Sequence, residues 1–509
     1  MKNTFLITMC DLSLEALKAY PPNETRILMI ESQRKWQALP FHRKKMVLGI
    51  SAMRHFALEL QRAGYEVDYR HEPDFASGIE AHDHQYQPGQ ILAFQPREWG
   101  MLQILQRLSE NLPLTQIPNP FYFLQREEFI RWADSQQNLR MENFYRWMRR
   151  RENILLENGK PAGGQWNFDK QNRRPPPNRA YPDPPLVEPD AITREVIQIV
   201  QAQEGFWGSA DDFRLPVTRA EAWTWMEHFF RWRFADFGPY EDAMRRGDWL
   251  VTHSLLSAFL NLGLLHPREV VERAIQSAEE YAVPLNSLEG FVRQVLGWRE
   301  YIHGMYWYKM PEYRTVNYFE LERNLPDWYW QPDKCELACL RDSIEMVKQH
   351  GFAHHIHRLM VLSNFATLAG VNPLRLSEWF WAGFVDAYEW VELPNVLGMA
   401  TYADGGLLAS KPYISSGSYI HKMSDYCSDC RFDVHQKLGE NACPFNYLYW
   451  YFLDRQREKL SQNPRMTVIY RLLERKSAEE KAAIRRESEH FLARLPQGNS
   501  DYHFQYDAG

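Results

Sequence analysis

The apolar pattern changes along the chain, from alternating strands and helices to helices alone, and this change limits the possible folds most. Within residues 1–130 several short apolar runs have the length of strands. A stripe with helical period over 46–60 separates the second run from the third, and another helical segment covers 101–112. Strand, crossover helix and strand in succession predict a parallel, Rossmann-like sheet covered by helices. The runs lie at 5–9, 26–30, 67–69, 91–94 and 114–117.

The rest of the chain follows two other patterns. Residues 131–195 hold one helical segment, 141–151, and then a proline-rich stretch, which predicts an extended connection. From about residue 196 the apolar stripes have helical period and no series of strands follows. We therefore predict an α/β domain over 1–130, a connector over 131–195 and a large all-α domain over 196–509.

Charge and hydropathy exclude some classes of function. The formal net charge is −6, so a nucleic-acid site must be a local basic patch. No apolar stretch approaches the length of a membrane span, and the apolar run over 5–10 is too short for a signal peptide. These features predict a cytoplasmic protein.

Five of the six cysteines lie in the second half of the chain. Cys427 and Cys430 form a Cys-x-x-Cys pair, and Cys443 follows at short range before a proline. In a reducing compartment this grouping favours metal or redox chemistry over disulfides. A fourth ligand must come from upstream, where Cys335 and Cys339 are the candidates. Spacing alone leaves zinc and an iron–sulfur cluster nearly level, with buried free thiols as the third interpretation.

Two motifs in the helical part suit a bound cofactor. The segment 252–257, Thr-His-Ser-Leu-Leu-Ser, places hydroxyl groups at a predicted helix start, where they can cap the helix or bind phosphate. The segment 297–301, Gly-Trp-Arg-Glu-Tyr, places Arg299 and Glu300 beside an apolar stripe. Taken alone, the first motif is more often an ordinary helix cap, and the second a solvated face with an ion pair.

Together, and at this spacing, the two motifs resemble those of the photolyase/cryptochrome family. Downstream, the segment 354–360 is similar to the family's His-x-x-x-Arg helix. The segment 413–445 resembles the bacterial branch that carries a [4Fe–4S] cluster. The likeness covers nearly the whole chain and is most specific over about 237–450. It implies an N-terminal antenna-chromophore domain and a C-terminal FAD-binding catalytic domain.

The resemblance also assigns residues to the cofactors. Arg358 and Asp386 match the pair that flanks the isoalloxazine in relatives, and Glu392 falls where relatives place a side chain beside flavin N5. The residues expected to contact FAD are Tyr240, Thr252, Ser254, Leu255, Leu256, Ser257, Gln294, Arg299, Arg358, Asp386 and Glu392. The expected cluster ligands are Cys339, Cys427, Cys430 and Cys443, which leaves Cys335 outside the cluster.

Light capture and electron transfer have their own expected residues. Trp379 and Trp330 are candidates for a relay that photoreduces FAD, although a single tryptophan among 18 is more often structural. An antenna chromophore, 6,7-dimethyl-8-ribityllumazine, is implied by the resemblance. Glu31 follows the second strand at the sheet edge that ligands favour, with an ordinary loop carboxylate as the alternative.

The implied activity is blue-light-driven repair of (6-4) pyrimidine-pyrimidone photoproducts in DNA by electron transfer from reduced FAD. His355 is expected to supply a proton, with His354 tuning it. Tyr413 and Tyr419 are expected near the lesion. Leu359 stands where eukaryotic (6-4) enzymes have a second histidine. The expected partner is UV-damaged DNA whose lesion leaves the base stack, and the expected state is a monomer.

Two other interpretations stay open at the level of sequence. One is a blue-light-sensing cryptochrome with the same cofactors and little repair, and the other is an iron–sulfur electron-transfer or nucleic-acid-binding protein with a vestigial flavin site. His355, Tyr413 and Tyr419 favour the enzyme. The arginine runs 149–151 and 173–174 are candidates for DNA contact, with solvated surface as the alternative.

Overall fold

A parallel five-stranded sheet forms the N-terminal part of the computed structural model, which describes residues 2–496. The strands are β1 (Asn3–Ile7), β2 (Thr25–Ser32), β3 (Glu66–Glu72), β4 (Ile91–Phe94) and β5 (Leu114–Ile117). Their order in the sheet is β3-β2-β1-β4-β5. Each predicted apolar run lies within or overlaps one of these strands, and every pairing is parallel as expected.

Helices cover both faces of the sheet because alternate side chains of each strand point to opposite sides. Leu6 and Leu28 pack with Ile79 and Leu105 in a small separate core. Phe5, in contrast, belongs to the large core that continues into the rest of the molecule. The helices of this part are α1 (Gln33–Gln37), α2 (Arg43–Arg62), α3 (Phe75–Tyr86) and α4 (Trp99–Leu108). The sequence predicted α2 and α4 but not α3, which buries only three of its residues.

The connector contains more regular structure than predicted. Two helices and a two-stranded hairpin precede its extended stretch, which runs over 172–190 without helix or strand, as its prolines indicate. The elements are α5 (Arg126–Asp134), α6 (Met141–Glu152), β6 (Leu156–Glu157) and β7 (Lys160–Pro161).

The regular elements of the remaining described residues are helices, as predicted. The α-helices are α7 (Ala191–Ala202), α8 (Arg219–Trp232), α9 (Phe234–Phe237), α10 (Leu256–Leu262), α11 (Pro267–Glu280), α12 (Leu285–Val292), α13 (Glu300–Lys309), α14 (Ala338–His350), α15 (Asn364–Ala369), α16 (Pro373–Gly383), α17 (Glu389–Leu393), α18 (Gly417–Met423), α19 (Pro444–Arg455), α20 (Arg457–Leu460), α21 (Thr467–Glu474) and α22 (Ala478–Ala493). Single 3-10 turns lie at Glu15–Leu17, Ala162–Gly164, Asp169–Gln171, Glu312–Thr315, Asp327–Tyr329, Pro332–Lys334, Tyr426–Asp429 and Pro464–Met466. Three wider π-helical turns lie at Arg293–Arg299, His357–Ser363 and Pro394–Ala400.

The N-terminus of α2 joins the sheet to the helical part. The ammonium of Lys45 donates to the carbonyl oxygens of Trp381 and Ala387 at 2.5 and 2.6 Å. The backbone N–H of His42 donates to the carbonyl of Ala382 at 2.8 Å. The Lys45 ammonium thus meets the Trp381 carbonyl oxygen at the C-terminal end of α16, where a helix dipole favours positive charge. Across residues 2–496, none of the helices combines the length and the apolar character needed to cross a bilayer.

Candidate active site

Four cysteines from three segments line one cavity in the helical part. Cys339 lies at the start of α14, Cys427 and Cys430 lie in and just after a 3-10 turn, and Cys443 directly precedes α19. The remaining wall is mainly apolar: Leu337, Gly417, Ile420, Tyr426, Phe432, Val434 and Phe445. Cys335 is buried, with its thiol 3.8 Å from the carbonyl oxygen of Leu337, and does not line the cavity.

The cavity presents four sulfur atoms as potential donors. Among the residues that the structure describes, no three His, Cys, Asp or Glu side chains are grouped as ligands of one metal ion. Burial raises the pKa of Cys427 to about 11 and that of Cys443 to about 12, so these thiols deprotonate only beside a cationic centre. A Cβ on Gly417 would lie 2.9 Å from the Cys443 sulfur, and glycine therefore keeps the cavity open.

A buried ion pair forms the centre of a second, polar site. Arg358 donates from Nη2 to both carboxylate oxygens of Asp386 at 3.0 Å. Ser257 donates its hydroxyl to Oδ2 of Asp386 at 2.7 Å. Glu392 is buried nearby, where loss of water raises the pKa of its carboxyl to about 7 although Arg358 opposes the rise. The sequence predicted all four residues as one set, and they lie together.

Several buried polar atoms at this site have no protein partner. They are Oγ1 of Thr252, Oε1 of Glu392 and both ring nitrogens of His354. Buried polar groups are normally hydrogen-bonded, so unpaired ones call for an explanation such as a missing ligand. Leu255, between Thr252 and α10, adopts a left-handed conformation with φ 58°, which turns the chain sharply into the helix. These residues fit a polar cofactor such as a flavin nucleotide.

All three π-helical turns carry or adjoin predicted site residues. Arg293–Arg299 contains Gln294, His357–Ser363 contains Arg358, and Pro394–Ala400 follows Glu392 within two residues. Such turns occur frequently at functional sites, because one extra residue re-aims the side chains of a helix. Gln294 donates from Nε2 to Glu241, whose carboxyl has its pKa raised to about 7 by burial. Tyr240, beside Glu241, is half-buried.

The residues predicted to meet the lesion differ in their exposure to solvent. His355 is exposed, whereas His354 is buried and stacks on His253 with ring centroids 4.3 Å apart. Tyr413 is 38% exposed. Tyr419 donates its hydroxyl to Asp242 at 3.1 Å. The surrounding protein and Arg358 lower the pKa of His355, although the exposed edge of its ring weakens that effect.

Arg299 has contacts of its own, which do not include Arg358 or Asp386. Its guanidinium donates to the carbonyl oxygen of Phe121 and to Glu300, both at 3.0 Å, and stacks over the ring of Tyr122 at 4.5 Å. Its predicted contact with FAD stays a prediction.

Glu31 is fully engaged by protein groups. It pairs with Arg54 at 2.9 Å and with His71 at 3.0 Å, and it accepts the hydroxyl of Tyr69. These bonds hold β2 to β3 and α2, so Glu31 has a structural role. Because protein groups already bind both carboxylate oxygens of Glu31, its contact with an antenna chromophore stays a prediction.

The arginine run 149–151 is divided between interior and surface, since Arg150 and Arg151 are exposed, whereas the run 173–174 is exposed throughout. Arg149 is completely buried and donates to the carbonyl oxygens of Ile154, Leu155 and Trp166. It is therefore unavailable to DNA. Arg173 is exposed and stays a candidate for contact with DNA.

Three residues at the site were not predicted. His253 lies inside the 252–257 motif but carries no hydroxyl, which was the signal used there. Lys45 reaches the site from the sheet domain, and Trp207 lies between the two tryptophans predicted as a relay. Both come from distant parts of the chain, so no local pattern indicates them.

Comparison with known proteins gives similarity along the whole chain. A family model described as deoxyribodipyrimidine photo-lyase-related protein matches residues 9–215. The chain is 40% identical over 494 residues to the (6-4) photolyase of Agrobacterium fabrum, covering 95% of this chain and 97% of that protein.

Two solved structures share the fold at low sequence identity. A bacterial class III photolyase from Agrobacterium tumefaciens gives a TM-score of 0.58 at 13% identity and covers 93% of this chain and 98% of its own. A cryptochrome from Synechocystis gives 0.54 at 14% identity and covers 95% of this chain and 93% of its own. At such identities the likeness concerns the fold alone.

Proposed function

The chain belongs to the photolyase/cryptochrome family, and from this premise we propose that it is a (6-4) photolyase, which repairs (6-4) photoproducts in DNA under blue light. The observation that carries the proposal is the 40% identity to a named (6-4) photolyase over 95% of the chain. An identity of this extent includes the sheet, the connector and the polar site. No observation specifically favours the signalling cryptochrome.

FAD is the cofactor that we propose for the polar site. When bound and reduced, FAD supplies an electron to the lesion on excitation by blue light and receives it back. Arg358 and Asp386 hold each other in a fixed geometry from two separate segments, and Ser257 fixes the carboxylate further. Thr252 and Glu392 offer unpaired polar atoms to the cofactor.

We propose that the lesion, flipped out of the duplex, meets His355 at the opening of the site. The exposed imidazole can give a proton or a hydrogen bond to the lesion. Tyr413, also exposed, and Tyr419 would limit the access of water on the same side. Arg173, on the exposed connector, is the phosphate contact that we propose.

We propose that Cys339, Cys427, Cys430 and Cys443 bind a [4Fe–4S] cluster. The support is the cavity that the four cysteines share and the resemblance of the segment 413–445 to the family branch with such a cluster. Iron and acid-labile sulfide should be found in equal amounts, and each Cys-to-Ser change should lower both. Zinc in place of iron would contradict the proposal.

The other expectations stay predictions. They are a ribityllumazine antenna at the carboxyl edge of the sheet, domain boundaries near residues 130 and 195, and a monomer that acts in the cytoplasm. A difference spectrum after gentle release of bound chromophores would identify the antenna directly.

An oligonucleotide with one (6-4) lesion tests the proposed activity. The protein is chemically reduced in the dark, mixed with the oligonucleotide and illuminated with blue light, while a second sample stays dark. Loss of the lesion only in light is the expected result. Unchanged lesion in the presence of bound, reduced flavin would reject the enzyme and favour the cryptochrome.

A further inference from the structure

We propose that Lys45, in the sheet part of the molecule, is a positioning residue of the polar site, because its amino group holds the buried segment that carries Asp386. The inference rests on the proposed function, since it concerns the site assigned there to FAD. Lys45 acts through the backbone on both sides of Asp386 and not through a bond to its carboxylate.

Lys45 binds two carbonyl groups of this segment. Its amino group donates to the carbonyl oxygen of Trp381, in the last turn of α16, at 2.5 Å and to that of Ala387 at 2.6 Å. Asp386 directly precedes Ala387, so a single side chain fixes the backbone before and after the carboxylate. Residues 381–390 are all buried, and buried carbonyl groups need donors that water cannot supply there. Lys45 supplies two of these donors.

Asp386 is also held by groups of the helical part. Asn261 donates from Nδ2 to its backbone carbonyl at 2.8 Å, and Ser257 donates to its carboxylate at 2.7 Å. Arg358 donates from one nitrogen to both carboxylate oxygens at 3.0 Å. A nitrogen that donates to both oxygens tolerates little movement of the carboxylate, because hydrogen bonds weaken steeply with angle. A backbone shift at Ala387 therefore disturbs the ion pair.

Lysine at position 45 is explained by the carbonyl groups that it binds. A buried amino group lowers stability unless it has partners, and Lys45 is 6% exposed. Burial lowers the pKa of the amino group to about 7, while the carboxylates of Glu392, Glu98 and Asp386 oppose the decrease. The ammonium and the neutral amine both carry the two hydrogens that these bonds need, so the contacts persist in either state.

Lys44 provides a matched comparison within the same helix. It is also buried and also joins α2 to distant parts of the chain, since its amino group donates to the carbonyl oxygen of Gln349 and pairs with Asp212 at 2.8 Å. Both of these partners lie outside residues 381–390. Loss of either lysine thus removes a buried contact of α2, but only loss of Lys45 releases the segment that carries Asp386.

The test is the release of FAD from the FAD-loaded protein, followed as the rise of free-flavin fluorescence after dilution in the dark. In Lys45→Met, which keeps the length of the side chain and removes its donors, the release rate should rise at least about tenfold, since lost contacts act mainly on dissociation. In Lys44→Met it should be unchanged. An unchanged rate in K45M, or an equal rise in K44M, overturns the inference.

A second variant covers the case in which K45M does not fold, as judged by circular dichroism. Lys45→Gln keeps two N–H donors on a shorter side chain, so its release rate should lie between those of K45M and the unaltered protein. The absorption bands of the bound flavin should also shift in both Lys45 variants and stay in place in K44M, because a displaced ion pair changes the electric field at the flavin. Bands and release rate that stay unchanged in K45Q and K45M would reject the positioning role.

A double-mutant cycle tests whether Lys45 acts through Asp386. In the Asp386→Asn background, Lys45→Met should change the release rate much less than it does alone, since the group that it positions is already altered. An equal change in both backgrounds would overturn the inference. These measurements need no DNA, so the expected results without lesion repair would keep the role of Lys45 and reject the photolyase. Absence of flavin from the unaltered protein would reject both.

Discussion

His355 combines access to solvent with surroundings that oppose its protonation. The neighbouring protein and Arg358 lower the pKa of its imidazole, so little imidazolium exists at neutral pH. Above the pKa this fraction falls about tenfold per pH unit. If imidazolium donates the proton, repair by chemically reduced protein should rise as the pH is lowered from 8 towards 6, measured as lesion lost per unit of light. A level profile would show that neutral imidazole is sufficient.

His355→Ala should lose repair at every pH yet keep flavin photoreduction.

Gly417 is the residue that tests the cysteine cavity without removing a ligand. An added methyl group would lie 2.9 Å from the Cys443 sulfur and 3.1 Å from Val434, so Gly417→Ala must displace the sulfur or the helix. We expect a clear loss of iron and sulfide per chain, measured by chemical analysis. Gly89→Ala is the control, because the added methyl there meets only Asn3 at 3.3 Å. Full iron content in G417A would place the metal elsewhere.

Motifs and the family resemblance indicated residues that lie together in the structure, and they missed residues that share only a location. Cys339 was preferred to Cys335, and of the two only Cys339 lines the cavity. Arg358 and Asp386 pair as expected although 28 residues separate them. Trp207 and Lys45 escaped prediction, because a single tryptophan or lysine carries no signal until tertiary packing gives it neighbours.

At the scale of elements, helical periodicity predicted the helices but not their irregular turns. The apolar stripes over 291–305 and 355–369 have helical spacing, yet each crosses a π-helical turn. A wider turn adds one residue and changes the spacing too little to be recognised in a stripe. His355 belongs to the second stripe and is nevertheless exposed. The sequence therefore located the elements of the site, while the direction of individual side chains required the structure.

Tyr426 ties three elements together beside the cysteine cavity. Its hydroxyl donates to Asp342 of α14 at 2.7 Å and lies 2.9 Å from Nε2 of His357. Tyr426→Phe should lower the free energy of unfolding by about 2 kcal/mol, because two buried groups lose their partner. Urea unfolding measures the change. Tyr447→Phe is the control, since Tyr447 is also buried and packs its ring against Phe491. Equal stability of the two variants would show that the Tyr426 hydroxyl contributes nothing.

At the scale of the molecule, the division into a sheet part and a helical part followed from the apolar pattern, whereas the contact between them did not. His42 contacts Lys348 across 306 residues of chain, and Lys45 contacts Trp381 across 336. The local sequence of α2 does not predict these contacts, because basic residues at the start of a solvent-exposed helix have the same pattern. The same segment also fixes Trp207, whose ring contacts Trp330 and Trp379 in the helical part.

His42 makes this junction sensitive to acid. Its Nδ1 accepts the backbone N–H of Lys44 at 3.0 Å, and its Nε2 lies 2.9 Å from the carbonyl of Lys348. Only the neutral ring with its proton on Nε2 satisfies both bonds, and burial lowers its pKa to about 4. The unfolded chain then binds more protons than the folded protein below pH ~6.5, so this contribution to stability is complete above that pH and is lost towards pH 4. The loss amounts to about 3 kcal/mol for this one residue.

Urea unfolding of His42→Asn at pH 7.5 and pH 5.0 tests this sensitivity. Asparagine can still cap α2 but does not titrate, and it leaves the Lys348 carbonyl without its donor. We therefore expect lower stability than the unaltered protein at pH 7.5 and a smaller decrease on acidification. Other buried histidines, such as His354 and His357, also have lowered pKa values, so the informative quantity is the difference between the two proteins. His435→Asn, at an exposed position, should behave like the unaltered protein. An equal decrease in H42N would assign the acid sensitivity to the remaining histidines and leave the junction of the two parts insensitive to pH.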